Sequence, residues 1–345
     1  MGRNSSVPDS AKFTIEEYLT ERKMSSLPVL LVEGKDDSIF FQLIRDELLK
    51  LVDRSNVGQM KALSCIEIDT AEIIKSPQDN PIGNRSKVEY ICKMADDLSL
   101  NQSLVGFVDR EFREFNLSPH FEDCLKVQNN IGRVVWSRGH SVENHLFEFV
   151  ILRDTLRDIG INSMYPIQDA LDIFKMNFKS IIALSCAISL AAKDVALIKA
   201  LEATMPPSCF TFNDCDIHMN MHEWNNFLCQ NIRLDSLRSK KFLDQFIYYL
   251  EIANGADFET LRWLCHGHIG LNFISSAFEA CMNKMLESQH YSVEQKKRGV
   301  DKTDRFIRFS TSWIQKQLRE SHNFENTPIK CFQMLGFSPS PYSDS

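Results

Sequence analysis

The sequence predicts an α/β fold: a parallel sheet flanked by helices, with an additional, mainly helical part. Three observations predict it. Short apolar runs, "VLLV" (29–32), "SCIEI" (64–68), "SLVGFV" (103–108) and "RVVW" (133–136), recur along the first part of the chain. Segments of helical pattern separate them, which is the grammar of βαβ units joined by right-handed crossovers. From Ile151 onward the strand signals thin out and long helical patterns take over.

Taken in order, "FTIEEYLTER" (13–22) reads as a short amphipathic helix. "VLLV" is continuous, apolar and rich in β-branched residues, the pattern of a strand covered on both faces. Gly34 then supplies a tight turn and Asp36 or Asp37 an N-cap, opening a helix to about Leu51 with Ile39, Phe40, Leu43, Ile44 and Leu48 inward. "SCIEI" is a second strand, ending at Asp69, and "GNRSKVEYICKMADDL" (83–98) a helix entered through glycine and serine. "SLVGFV" runs into Asp109-Arg110-Glu111, and "RVVW" into "SRGHSVENHLF". Further on, 261–286 has a Gly-punctuated start and one strong apolar periodicity, predicting a single helix that returns to the sheet domain. Residues 291–318 form a basic amphipathic ending, and "GFSPSPYSDS" a mobile tail. The expected organisation is an N-terminal helix and linker (1–26), a catalytic α/β domain (27–150), a helical insertion or second domain (151–257), basic C-terminal helices (258–335) and the tail (336–345).

Bulk properties bound the function. With 345 residues, 43% hydrophobic and 25% charged, the chain is long enough for two packed parts and too apolar to be disordered. The N-terminus lacks the apolar core of a signal peptide. The longest weakly polar stretch, Ile181–Ala192, falls short of the ~18–20 residues of a membrane span. A cytoplasmic protein without a membrane partner is expected. The ten cysteines are scattered without a C-x-x-C pair, so they are expected to be reduced and mostly buried. A net charge of −7 argues against a generic nucleic-acid binder. Locally, however, Lys296, Lys297, Arg298, Lys302, Arg305 and Arg308 face only Asp301 and Asp304, with Phe306, Phe309 and Trp313 interleaved. Such a run is most often a solvated face; the interleaved aromatics add RNA or a partner protein as the alternative reading. A second basic cluster, Arg233, Arg238, Lys240 and Lys241, faces only Asp235.

In an open parallel sheet all strands lead to one edge at their carboxyl ends, and ligands bind there. Glu33, Asp69, Asp109 with Glu111, and the "HSVEN" segment each follow a predicted strand, so all fall on one rim. If strand geometry persists through Asp109 and Glu111, both carboxylates point to one side and Arg110 to the other. Crowded carboxylates repel unless a divalent ion neutralises them. Hard oxygen donors suit Mg2+ or Mn2+, which favours phosphate chemistry. Each acid also has a plainer reading. Asp36, Asp37, Asp69 and Glu72 serve equally as caps, His140 can satisfy a loop carbonyl, and Lys87 can be an ordinary helix lysine. Cys209-x5-Cys215-x2-His218-x3-His222 invites zinc, with His218 and His222 on one helix face. Its first spacing is wider than that of zinc motifs, so loop and core roles are preferred. His266 and His268 flank a helix start, where structural roles outweigh catalytic ones.

"VEGKDD" (32–37) followed by "FVDRE" (107–111) resembles the Toprim domain, the Mg2+-binding module of topoisomerases, primases and OLD-type nucleases. "GNRSKVEYI", "GFVDREF", "HSVENHLFE" and "CHGHIGLNFI", in that order, are similar to AriB-like effector nucleases of PARIS anti-phage systems. The resemblance covers Leu27–Leu146 and a segment near Gly267. It implies a Toprim-like sheet, with Glu33 as general acid/base or metal-shaping carboxylate and Asp109 and Glu111 as metal ligands. Glu143 becomes a further catalytic acid at the rim and Lys87 a phosphate contact. The pair here is Asp-Arg-Glu where Asp-x-Asp is usual. The resemblance further implies an ABC-type ATPase partner that restrains the nuclease, and nucleic acid, tRNA in particular, as target. The expectation is therefore a Mg2+- or Mn2+-dependent endonuclease acting as a toxic antiviral effector, with a homodimer plausible for a long substrate. The alternatives are a non-catalytic subunit docking an ATPase through its acidic rim, or an OLD-type DNA-nicking enzyme.

Overall fold

The computed structural model describes residues 12–25, 27–53, 56–76, 82–100, 103–125, 127–160, 167–202, 205–288, 302–320 and 327–338. It divides into two compact units: Met1–Arg110 with Val127–Arg138 and Trp313–Ser345, and Glu111–Lys126 with Gly139–Ser312.

The first unit is a mixed, mostly parallel sheet with helices on it. Helix α1 (Ile15–Met24) is opened by Thr14, whose hydroxyl accepts the N–H of Glu17 while the Glu17 carboxylate accepts the N–H of Thr14. Strand β1 (Val29–Val32) is buried throughout. It leads into α2 (Lys35–Leu51), then α3 (Val57–Ser64), β2 (Glu67–Thr70), α4 (Asn84–Asp97), β3 (Leu104–Val108) and a hairpin of β4 (Asn130–Ile131) and β5 (Val134–Trp136). The order across the sheet is β2-β1-β3-β5-β4, parallel except for β4.

Alternation along β3 sends successive residues to opposite faces. Gly106 lies against α4, where a Cβ would stand 2.6 Å from Cys92 Sγ and 2.7 Å from Val88 Cγ1, so the close approach of helix to strand requires glycine. Phe107 meets Phe41 of α2 with ring centroids 4.7 Å apart, and Phe41 in turn packs on Phe332 in the short helix Lys330–Met334. Phe40, Phe41, Ile44 and Leu48 of α2 are buried, whereas Ile39 and Leu43 are only half-buried.

Two expectations are corrected here. The N-cap of α2 is Gly34; Asp37 sits at the third helical position and its Oδ2 accepts the Gly34 N–H at 3.0 Å. The second strand is Glu67–Thr70 rather than 64–68, because Ser64 still closes α3. Asp69 therefore lies inside the strand.

The second unit is mainly helical: α5 (Phe149–Gly160), α6 (Ile167–Met176), α7 (Phe178–Asp194), α8 (Ile198–Leu201), α9 (Met221–Gln230), α10 (Ser236–Gly255), α11 (Phe258–Leu264), α12 (Gly267–Ser288) and most of α13 (Lys302–Ile314). Its axis is α7, buried from Ile181 to Ala192 and packed by α6, α10, α11 and α12. That burial within protein explains its unbroken apolar text. Among the described residues no single helix is long and apolar enough to cross a membrane.

The single helix expected over 261–286 is two helices, broken at Cys265-His266, and both belong to this unit. A hairpin of β6 (Phe210–Asn213) and β7 (Asp216–Met219) was not foreseen. The aromatic residues of the basic C-terminal run are core: Phe306 and Phe309 are buried, and Trp313 packs on Phe40 at 5.4 Å. None of the three is available to stack on a base. Lys296, Lys297, Arg298 and Asp301 lie outside the described residues, as does the tail from 339 on.

Candidate functional site

The sheet of the first unit has a topological switch point. From β1 the chain crosses to β2 on one side, then returns past β1 to β3 on the other. The crevice between the carboxyl ends of β1 and β3 is where such sheets bind ligands. Glu33 and Asp109 stand at that crevice, because the ladder pairs Leu31 with Gly106 and both acids follow directly on these neighbouring strand ends. The Asp109 N–H donates to Glu33 Oε1 at 2.8 Å, which fixes the glutamate across the gap between the strands. Both residues are half-buried. The Gly34 turn beside them is flanked by carboxylates, with Glu72 Oε1 3.6 Å and Asp37 Oδ2 3.9 Å from the place a Cβ would occupy. Helix α2 starts there and presents its first-turn N–H groups, so the edge combines hard oxygen donors with a positive helix end.

The other rim candidates of this unit have structural partners. Lys87 is buried, and its Nζ donates to Ile74 O at 2.7 Å, Asn84 Oδ1 at 3.1 Å and Ala71 O at 3.2 Å. It thereby pins the turn that follows β2 to the first turn of α4. Asp69 Oδ2 accepts the Tyr18 hydroxyl at 2.8 Å, and Arg22 lies 3.8 Å away. Burial raises the Asp69 carboxyl above its ordinary range, opposed by the Tyr18 bond and by Arg22. Arg110 is fully buried, donating its N–H to Ser137 Oγ at 2.8 Å and Nη1 to Arg138 O at 3.0 Å.

Strand geometry does not persist beyond β3. Glu111 has φ of +55°, opens a turn and is exposed, and its N–H donates to His140 O at 2.8 Å within the second unit. The condition for Asp109 and Glu111 sharing one side of a strand is thus not met.

In the second unit the "SVEN" segment is a short 3-10 helix, Val142–Leu146. Asn144 is fully buried and locks it: Oδ1 accepts the Ser141 N–H at 2.7 Å, while Nδ2 donates to the carbonyls of Arg262 at 2.6 Å and Cys265 at 2.7 Å. The amide so satisfies the C-terminal carbonyls of α11, which no residue of that helix can reach. Arg262 returns the contact, donating Nε to Asn144 O and Nη2 to His145 O, both at 3.1 Å. Held this way, Glu143 is buried against the start of α12. Its Oε1 lies 3.1 Å from Nδ1 of His268, which is half-exposed. A carboxylate and an imidazole are both ligand types for a divalent cation, and the pair is able to take one.

His266 lies beside them, its ring 6.1 Å from that of His268 and 4.5 Å from that of His140. Its pKa is lowered to about 4, chiefly by burial and next by His268, with Glu143 opposing. The sequence named Glu143 but weighed His268 as structural. The two are 125 positions apart, and the only local signal is the glycine between two histidines.

The Cys209–His222 motif does not form a ligand cluster among the described residues. Cys209 is buried, Cys215 sits exposed in the β6–β7 turn, His218 is on a strand, and His222 on α9 contacts Asn226 Nδ2 at 3.2 Å. His218 and His222 therefore do not share a helix face. All ten cysteines are free thiols. Arg233, Arg238, Lys240 and Lys241 are exposed around the start of α10, whose N-cap is Asp235. No protein-family model and no curated protein matches this chain.

Proposed function

We propose that the protein is a Mg2+- or Mn2+-dependent endonuclease that hydrolyses nucleic-acid phosphodiesters, with RNA, tRNA in particular, as the favoured substrate. In this reading it is the toxic effector of an anti-phage system and is restrained by an ABC-type ATPase partner. The observation that carries the chemistry is the joining of Glu33 and Asp109 at the switch point of the parallel sheet.

The donor set fits the ion. Two carboxylates without a sulfur or nitrogen donor between them suit a hard cation that keeps waters and substrate phosphates in its shell. Glu33 and Asp109, on neighbouring strand ends, would hold it. Bound there, such an ion supplies charge neutralisation on the phosphate and a more acidic water. Glu33 is oriented for this by the Asp109 N–H, which donates to its Oε1 at 2.8 Å. The N–H groups at the start of α2 receive phosphate oxygens. Lys87 supports the edge by fixing the turn beyond β2.

The test is cleavage of tRNA and plasmid by purified protein with Mg2+ or Mn2+, comparing wild type with Glu33→Gln, Asp109→Asn and Glu111→Gln. Loss of cleavage by at least ~100-fold in Glu33→Gln, with an unchanged fold, is expected for removal of a group that acts on the reacting water or ion. Wild-type activity in that variant removes the assignment.

A further inference from the structure

We propose that the start of α12 carries a separate centre for a borderline divalent cation, Mn2+ or Zn2+, held by Glu143 and His268 with His266 as the adjoining imidazole. The inference does not rest on the nuclease reading.

Three observations within the second unit carry it. The first is the spacing of the pair. Two ligands each ~2.1 Å from one ion, at an angle between octahedral and tetrahedral, stand about 3.0–3.4 Å apart. Glu143 Oε1 and His268 Nδ1 are separated by 3.1 Å, so the same geometry that shares a proton can share an ion. The second is a cradle made by Gly267. A Cβ there would stand 2.5 Å from Glu143 Oε2 and closer still to Ser141 Oγ, so the buried carboxylate is seated directly on the backbone between the two histidines. The third is His266, 8% exposed, whose Nδ1 is buried and has no hydrogen-bond partner among the described residues. Buried ring nitrogens ordinarily find one, and a bound ion is among the recognised explanations for an exception. Glu143 and His268 supply one oxygen and one nitrogen, His266 adjoins them with its ring 6.1 Å from that of His268, and water takes the remaining positions.

Nitrogen donors set the selectivity. Imidazole favours Zn2+ over Mg2+, which requires oxygen, while Mn2+ accepts a mixed oxygen and nitrogen set with lower affinity than Zn2+. The centre is therefore expected to bind Zn2+ or Mn2+ in the presence of excess Mg2+.

The experiment is calorimetric titration of chelator-treated full-length protein with Zn2+ and with Mn2+, in buffer containing Mg2+. Wild type is compared with His268→Ala, His266→Gln and a Glu33→Gln/Asp109→Asn double variant. The expected result is a wild-type site that the double variant keeps and His268→Ala weakens by at least about tenfold, the scale of losing one good contact. Absence of a Zn2+ or Mn2+ site in wild type overturns the proposal, as does a site unchanged by His268→Ala. Because the histidine variants can misfold, pulsed EPR of Mn2+-loaded wild type provides a second readout. Nitrogen modulation from imidazole supports the centre, and an oxygen-only spectrum refutes it. Neither measurement depends on whether the protein cleaves nucleic acid.

Discussion

Lys87→Met separates a structural lysine from one that grips phosphate. Methionine keeps the apolar stem and removes the ammonium, deleting the three bonds to Ile74 O, Asn84 Oδ1 and Ala71 O. A hydrogen bond from a charged donor contributes roughly 1.5–3 kcal/mol, and burying the ammonium offsets a large part of the total. A net destabilisation of about 2–4 kcal/mol follows. In a unit of this size each kcal/mol moves the midpoint by about 2–4 °C, so the melting temperature should fall by about 4–16 °C. Thermal unfolding followed by circular dichroism reads that shift, and cleavage at a temperature well below the transition reads function. A strut predicts lowered stability with cleavage retained in proportion to folded protein. An unchanged melting temperature together with lost cleavage would refute the structural reading and return Lys87 to the phosphate.

The titration of Asp69 gives a pH signature. Its folded pKa is raised, so the folded state holds the proton more tightly than the unfolded chain. The stability from this site is fully present below the unfolded carboxylate pKa and is lost as pH rises through the folded one. Asp69→Asn keeps an oxygen for the Tyr18 hydroxyl and never ionises, so near pH 7 it should melt no lower than wild type, with the two converging toward pH 4. A variant less stable than wild type at pH 7 but equal to it at pH 4 contradicts this. Among the thiols, burial pushes Cys92, Cys265 and Cys281 up to about 12, while Cys124 and Cys215 are exposed. Alkylation of native protein followed by peptide mass spectrometry should therefore modify Cys124 and Cys215 while these three remain unmodified.

The strands buried on both faces were legible because nothing polar interrupts them. Val29–Val32 matched to the residue, and the runs at 103–108 and 133–136 became strands 104–108 and 134–136. The edge strand was not. Glu67–Thr70 is half-buried along its length, so its text, E-I-D-T, carries little apolar signal, while Cys65 and Ile66 belong to the approach. The β6–β7 hairpin had a signal that was passed over: alternating F-T-F-N and D-I-H-M around Asp214, which takes φ of +54°. At the site, Glu33 and Asp109 could be named because each ends a readable strand. Glu111 could be named but not oriented, since its left-handed backbone depends on the turn that follows. His268 was out of reach, because pairing across 125 positions is set by how α11 and α12 bring their junction to the "SVEN" segment.

The Asn144 lock has a bearing on how this chain can be recombined. Residues 139–147 and 262–268 complete each other's hydrogen bonding, Asn144 serving the end of one helix and Arg262 the carbonyls of the other segment. Neither stretch is an exchangeable cassette. A chimaera that imports one without its counterpart leaves buried carbonyls and a buried guanidinium mismatched, whereas transplanting both together preserves the joint.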